Sequence, residues 1–273
     1  MNVARLYAWG VHLYTAMGLV IAAAIAHLLV GDHPERFRFA FLLMGLAVAI
    51  DSTDGWLARR ARVKEVLPEF DGRRLDDIVD FLNYTFLPLL LVYQARLLPD
   101  GQSGWLLVPL VASAYGFCQS SAKTEDGFFL GFPSYWNLVA FYLYMLRPAA
   151  WMAIGLVVVL SVLTFVPTRY LYPSQRGAIN RVTMALGGVW AAVLILILWT
   201  AAPEGGPAGE AAAGGTQLVS LLSPPAEGFA REHAALLTLV SLCYPAYYLV
   251  ASWVVSMNVG TGSGVPSGAK LAD

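Results

Sequence analysis

Apolar residues run along this chain in long blocks, and polar residues collect at the junctions between them. That is the pattern of helices dissolved in lipid. A hydrocarbon core about 30 Å thick takes about 20 residues of helix. Eight runs reach or approach that length, at residues 9–30, 38–58, 77–98, 104–121, 134–147, 149–167, 182–202 and 235–256. Only Arg147-Pro148 divides the fifth from the sixth, and without that break the run is too long for one crossing, so a tight hairpin is expected there. The fold class that follows is an all-α integral membrane protein, a polytopic bundle of about eight transmembrane helices. Residues 1–258 read as one transmembrane domain, with a mobile Gly-, Ala- and Pro-rich outer loop at 203–232 and a disordered tail at 259–273. No internal repeat is visible.

Composition strengthens this picture. The chain is 58% hydrophobic and only 13% charged, against about 25% charged in soluble domains, and its mean hydropathy is +0.62. A net charge of −1 offers nothing to a nucleic acid. Cys118 and Cys243 each sit in an apolar run, far apart, and read as small buried hydrophobes. The first apolar run is long enough to span and lacks a small-residue cleavage site, so it is expected to stay as a helix. Lys and Arg divide twelve to five between the two sides if the amino terminus is cytoplasmic. The positive-inside rule then puts both termini in the cytoplasm, in a bacterial inner membrane.

Against this background one stretch stands out. It runs Asp51-Ser-Thr-Asp54-Gly55-Trp56-Leu-Ala58-Arg59, then twelve residues to Gly72, then Asp76 and Asp80. Helical neighbours lie three and four apart, so Asp51 and Asp54 share one face of their segment, and Asp76 and Asp80 one face of the next. Two carboxylate pairs can therefore face each other. Gathered acids repel unless protonated or neutralised, and their oxygens suit hard divalent ions. A site for two cations, Mg²⁺ or Mn²⁺, is the natural reading. Asp77 lies about 100° round the helix from Asp76 and is off that face, and Asp71 is likewise off the pattern.

The pattern Asp-x2-Asp-Gly-x2-Ala-Arg, a gap, then Gly-x3-Asp-x3-Asp resembles the signature of the CDP-alcohol phosphotransferase family, integral membrane enzymes of phospholipid synthesis. Asp51, Asp54, Gly55, Ala58, Arg59, Gly72, Asp76 and Asp80 fill every defined position. Most of that family has about eight residues in the gap. The longer gap here, with the stretch Phe128-Phe-Leu-Gly-Phe-Pro-Ser-Tyr135-Trp136-Asn137, is similar to the branch that joins choline to CDP-diacylglycerol.

The resemblance implies a six-helix catalytic core within the bundle. It implies Asp51, Asp54 and Asp76 as metal ligands and Asp80 as both ligand and general base. For CDP-diacylglycerol it implies Gly55, Ala58, Arg59 and Gly72, with His12 and Thr15 on the first helix where relatives carry a polar pair. Lys123, the one basic residue in its loop, is added for a lipid phosphate. The partners implied are CDP-diacylglycerol, choline and membrane lipid, with a homodimer left open. Choline offers no donor on its cation, so aromatic faces must hold it; Tyr84, Tyr135, Trp136 and Trp56 are the candidates. Belts of Trp and Tyr occur at these depths in any membrane protein. Serine, glycerol phosphate or inositol stay open as acceptors, with Arg169, Arg176 and Arg181 available to a phosphorylated one. An ion-coupled transporter is a third reading, weakened by the missing repeats.

Overall fold

A computed structural model describes residues 2–119, 128–171, 178–200 and 234–262. Helix α1 (Val3–Val30) opens on an Asn2 cap, whose side chain accepts from the Ala4 N–H. α2 is Arg36–Arg60, α3 is the single turn Val63–Val66, and α4 is Gly72–Asp80. A π-helical turn, Phe81–Phe86, joins α4 to α5 (Leu87–Gln94) without a break. A 3₁₀ turn, Ser103–Leu106, leads into α6 (Leu107–Cys118). Then come α7 (Trp136–Leu146), α8 (Ala150–Phe165), α9 (Ala178–Thr200), α10 (Ala234–Ser241) and α11 (Cys243–Gly262).

Every expected span coincides with one helical segment among the described residues, counting α4 to α5 and α10 to α11 as one each. The hairpin at Arg147-Pro148 is present: Arg147 ends α7 in a left-handed conformation and α8 resumes at Ala150. By length and apolar composition Val3–Val30, Arg36–Arg60, Arg181–Thr200 and Ala234–Val254 can cross a membrane, and shorter apolar helices stand between them. The protein is an all-α polytopic membrane bundle. Its last helix runs to Gly262, six residues past the end of the expected span at 256.

Two strands escape the apolar pattern. β1 (Phe128–Leu130) pairs antiparallel with β2 (Arg169–Leu171), tying the segment before α7 to the end of α8. Gly131 follows β1 at φ +81°, and a Cβ there would stand 2.3 Å from the Thr164 carbonyl oxygen, so only glycine fits.

The core lies between α1, α2, α5, α7 and α9, around Ile25, Leu29, Leu91, Trp136, Leu143 and Ile197. The late helices join it through hydrogen bonds: the Trp190 indole N–H donates to the Tyr142 hydroxyl at 3.1 Å, and that hydroxyl meets Ser241 Oγ at 3.0 Å. Many large apolar side chains face outward, Trp151 at 76% and Val30 at 73% among them, a surface suited to lipid. That surface also corrects the expectation for the cysteines. Cys118 and Cys243 are free thiols on exposed helix faces, since in a bilayer a thiol is already in an apolar medium there.

Trp136 is 1% exposed and its indole N–H donates to Ser113 Oγ at 2.8 Å. Trp136→Leu should therefore cost about 3 kcal/mol of stability, in line with large-to-small changes in cores. A lowered thermal midpoint of the detergent-purified protein would register it.

Candidate metal centre and its surroundings

Three walls meet at one end of the bundle. α2 contributes Asp51 and Asp54, α4 contributes Asp76 and Asp80, and α1 contributes Thr15 and Gly18, all lining one cavity. Carboxylate oxygens of Asp51, Asp76 and Asp80 come within 4.8 Å of one another, each residue half-buried. Such an all-oxygen donor set fits a hard divalent ion. Asp54 is buried on the same wall and accepts a hydrogen bond from Thr15 Oγ1 at 2.8 Å. Asp77 is not among the residues lining the cavity, as its position on the helix dictates.

The π-helical turn is part of this site. It follows Asp80 directly, and widened turns of this kind recur at functional sites. Within it Tyr84 donates its hydroxyl proton to Asp51 Oδ2 at 2.7 Å. Asn83, 3% exposed, donates to the carbonyl oxygens of Gly18 at 3.1 Å and Val79 at 3.0 Å, binding this helix to α1. Asn83 carries no pattern that sequence alone would flag.

Close approach to α1 explains one glycine of the signature. A Cβ on Gly72 would stand 2.5 Å from the His12 ring, and one on Gly18 would stand 2.3 Å from Val79 Cγ1. His12 is 6% exposed, its Nε2 has no hydrogen-bond partner among the described residues, and its ring packs 4.5 Å from that of Phe70. The twelve-residue gap is thus an ordered connection. Phe70 also packs 5.1 Å from Trp9, Arg5 pairs with Glu69, and Asp71 caps α4 by accepting from the Arg74 N–H at 3.1 Å. The Glu69 carboxyl is held below the usual range, first by its backbone hydrogen bond and then by Arg5.

The remaining candidates scatter. An added Cβ on Gly55 would meet only Arg59 Nη1, at 3.5 Å, so that surface of α2 is open, and the exposed Arg59 stands over it. Ala58 is half-buried one turn on. Trp56 is exposed with the Arg60 guanidinium 5.3 Å from its ring. Trp136 is in the core, and neither tryptophan lines the cavity. Tyr135 lies within electrostatic reach of Tyr84 and hydrogen-bonds Tyr248 of α11, their rings 6.4 Å apart. Nothing in the sequence marks Tyr248, a tyrosine in a distant apolar run. Lys123 and Arg176 lie outside the described residues.

No family-wide sequence model matches the chain. Individual relatives do. It is 38% identical to a phosphatidylcholine synthase of Pseudomonas aeruginosa over 184 residues, 67% of this chain and 76% of that one. It is 42% identical to a phosphatidylcholine synthase of Legionella bozemanae over 149 residues, 54% of this chain and 69% of that one. A third, from Mesorhizobium japonicum, is 35% identical over 196 residues, 71% and 72% of the two chains.

If the carboxylates hold a cation, Asp51→Asn, Asp76→Asn and Asp80→Asn should each weaken Mn²⁺ binding by more than about tenfold, and Tyr84→Phe by about tenfold through loss of support to Asp51. Asp77→Asn should leave it unchanged. Electron paramagnetic resonance titration of the purified protein with Mn²⁺ reads all five.

Proposed function

The chain belongs to the phosphatidylcholine synthase family, and from that premise we propose that it transfers the phosphatidyl group of CDP-diacylglycerol to choline, releasing CMP. It is a CDP-alcohol phosphatidyltransferase of phosphatidylcholine synthesis. The observation that carries the detailed reading is the convergence of Asp51, Asp76 and Asp80 oxygens to within 4.8 Å from two different helices.

Asp51, Asp54, Asp76 and Asp80 would hold two divalent cations, Mg²⁺ or Mn²⁺. When bound, such ions neutralise the pyrophosphate and stabilise the charge that develops on departing CMP. The rest falls to the chain's own groups. Tyr84 and Thr15 fix the orientation of Asp51 and Asp54. Asp80 accepts the proton of the choline hydroxyl, and that oxygen bonds to the phosphorus bearing diacylglycerol as the bond from phosphorus to the CMP oxygen breaks. A hydroxyl held in line needs no covalent enzyme intermediate. Gly55 and Ala58 keep the α2 surface low for cytidine, and Arg59 presents its planar donors to the phosphates. Gly72 stands at the start of α4, one turn before Asp76, against the His12 ring.

For the quaternary ammonium, Tyr84 and Tyr135 supply the aromatic faces, with Tyr248 behind Tyr135. Tyr84 is supported by its place in the cavity wall, and Tyr135 by its proximity to Tyr84. The site faces the cytoplasm of a bacterial inner membrane in this reading, because the basic flank at Arg59 to Arg74 lies beside it.

Purified protein given labelled choline and CDP-diacylglycerol should form phosphatidylcholine and CMP, lose activity with a chelator and regain it with Mn²⁺ or Mg²⁺. Full activity after exhaustive chelation, or use of serine in place of choline, would count against the reading. Tyr135→Leu should raise the apparent KM for choline about tenfold, equivalent to ~1.4 kcal/mol, and leave that for CDP-diacylglycerol nearly unchanged.

A further inference from the structure

The other end of the bundle carries the opposite charge. At the start of α2 stand Arg36 and Arg38, and at the end of α7 stands Arg147. Among the described residues the carboxylates paired with these cations are Glu35, 2.6 Å from Arg38, and the fully exposed Asp32, 3.9 Å from Arg36. The floor of the cluster is buried: Arg38 is 5% exposed and Tyr144 8%. The rim is open, with Arg147 exposed and Arg36 partly so.

The second observation is the Tyr144 hydroxyl. It is buried and has no hydrogen-bond partner among the described residues, and a buried hydroxyl left in that state is costly. Its charged surroundings are Arg147, Glu35, Arg38 and Arg36. Phe41 packs 5.5 Å from its ring, and the Arg147 guanidinium stands 5.6 Å from it. Arg147 itself is held by its left-handed backbone, whose N–H returns to the Leu143 carbonyl oxygen at 3.0 Å. The first turn of α2 adds to this. Its cap residue, Glu35, makes no side-chain hydrogen bond to that turn, which leaves N–H groups there for an anion.

We infer that Arg36, Arg38, Arg147 and the Tyr144 hydroxyl form a second site, which binds the phosphate of a membrane phospholipid head group in the leaflet opposite the carboxylates. Asp51 lies 15 residues along α2 from Arg36, or about 22 Å, so this phosphate is not the one at the metal centre. Guanidiniums match phosphate oxygens with paired donors, and Tyr144 adds a neutral donor from beneath. Glu35 holds Arg38 in place. Because the flanking surface is apolar helix, the acyl chains of the same lipid have a medium to lie in, whereas a free phosphate ion gains nothing from it.

The test uses the full chain, purified in detergent and stripped of lipid. Its thermal midpoint is followed on titration with dioctanoyl phosphatidylglycerol, with dioctanoylglycerol, and with inorganic phosphate. Phosphatidylglycerol should raise the midpoint, and the other two should not. The concentration giving half the rise should increase at least about tenfold in Arg147→Gln and several-fold in Tyr144→Phe, while Arg147→Lys keeps most of the response. Arg147→Gln should retain the turnover of choline and CDP-diacylglycerol, which separates this site from the catalytic one. No rise with phosphatidylglycerol, an equal rise with dioctanoylglycerol, or an undiminished rise in both Arg147→Gln and Tyr144→Phe would overturn the proposal. A rise with inorganic phosphate matching that with the lipid would overturn the lipid as its source.

Discussion

Repulsion between like charges is the constraint to which the rest of this structure answers. Two unit charges about 5 Å apart repel by about 3 kcal/mol at an effective dielectric of about 20, and Asp51, Asp76 and Asp80 bring their oxygens within 4.8 Å. Nothing in the packing of apolar helices favours that. The bundle opposes it with donors and with rigidity. Thr15 gives a hydrogen bond to Asp54 and Tyr84 gives one to Asp51. Both donors come from elements other than the one bearing the acid, so each bond also fixes one helix against another. Cations bound there would complete the balance and make the acids a single unit.

The rigidity comes largely from α1. Gly18 and Gly72 each leave room that a Cβ would fill, which lets α4 lie against α1 at Val79 and His12. Asn83 then locks the π-helical turn to the Gly18 carbonyl. A helix with no acid of its own therefore sets the spacing between the two that have them. The ordered connection after α2 serves the same end: Phe70 and Glu69 dock on Trp9, His12 and Arg5 of α1, and Asp71 caps the helix that follows. A longer gap between the two halves of the signature need not mean a looser one.

Much of this was legible in the sequence, and for a physical reason. A bilayer demands a fixed length of apolar helix, so eight runs mapped onto eight helical segments among the described residues. Spacings of three and four residues put the acids on shared faces, and the cavity gathers all four. What could not be read depended on contacts distant in sequence. The β1 and β2 pair is three residues long on each side and sits inside apolar text. The π-helical turn has no periodicity to betray it. The signature alone makes Gly72 a place for ligand, and its contact with His12 is a packing reason that only the fold supplies. Tyr135 and Trp136 are adjacent and equally aromatic, yet one reaches towards Tyr84 and Tyr248 and the other is sealed in the core on Ser113.

That last contrast bears on how the acceptor would be chosen. In choline the hydroxyl and the quaternary nitrogen are only two carbons apart, so the surface that takes the cation must lie within one small molecule of the base. Tyr84 meets this condition, being four residues beyond Asp80 with its hydroxyl on Asp51. A ring pinned through its hydroxyl keeps a fixed face towards the cavity, and a fixed face loses little entropy when a cation settles on it. Trp56 fails on both counts, since it is exposed and the Arg60 guanidinium already stands over it. In that reading the choice of acceptor would rest on the placement of ring faces around the base and not on the acids, whose charge bound cations would neutralise.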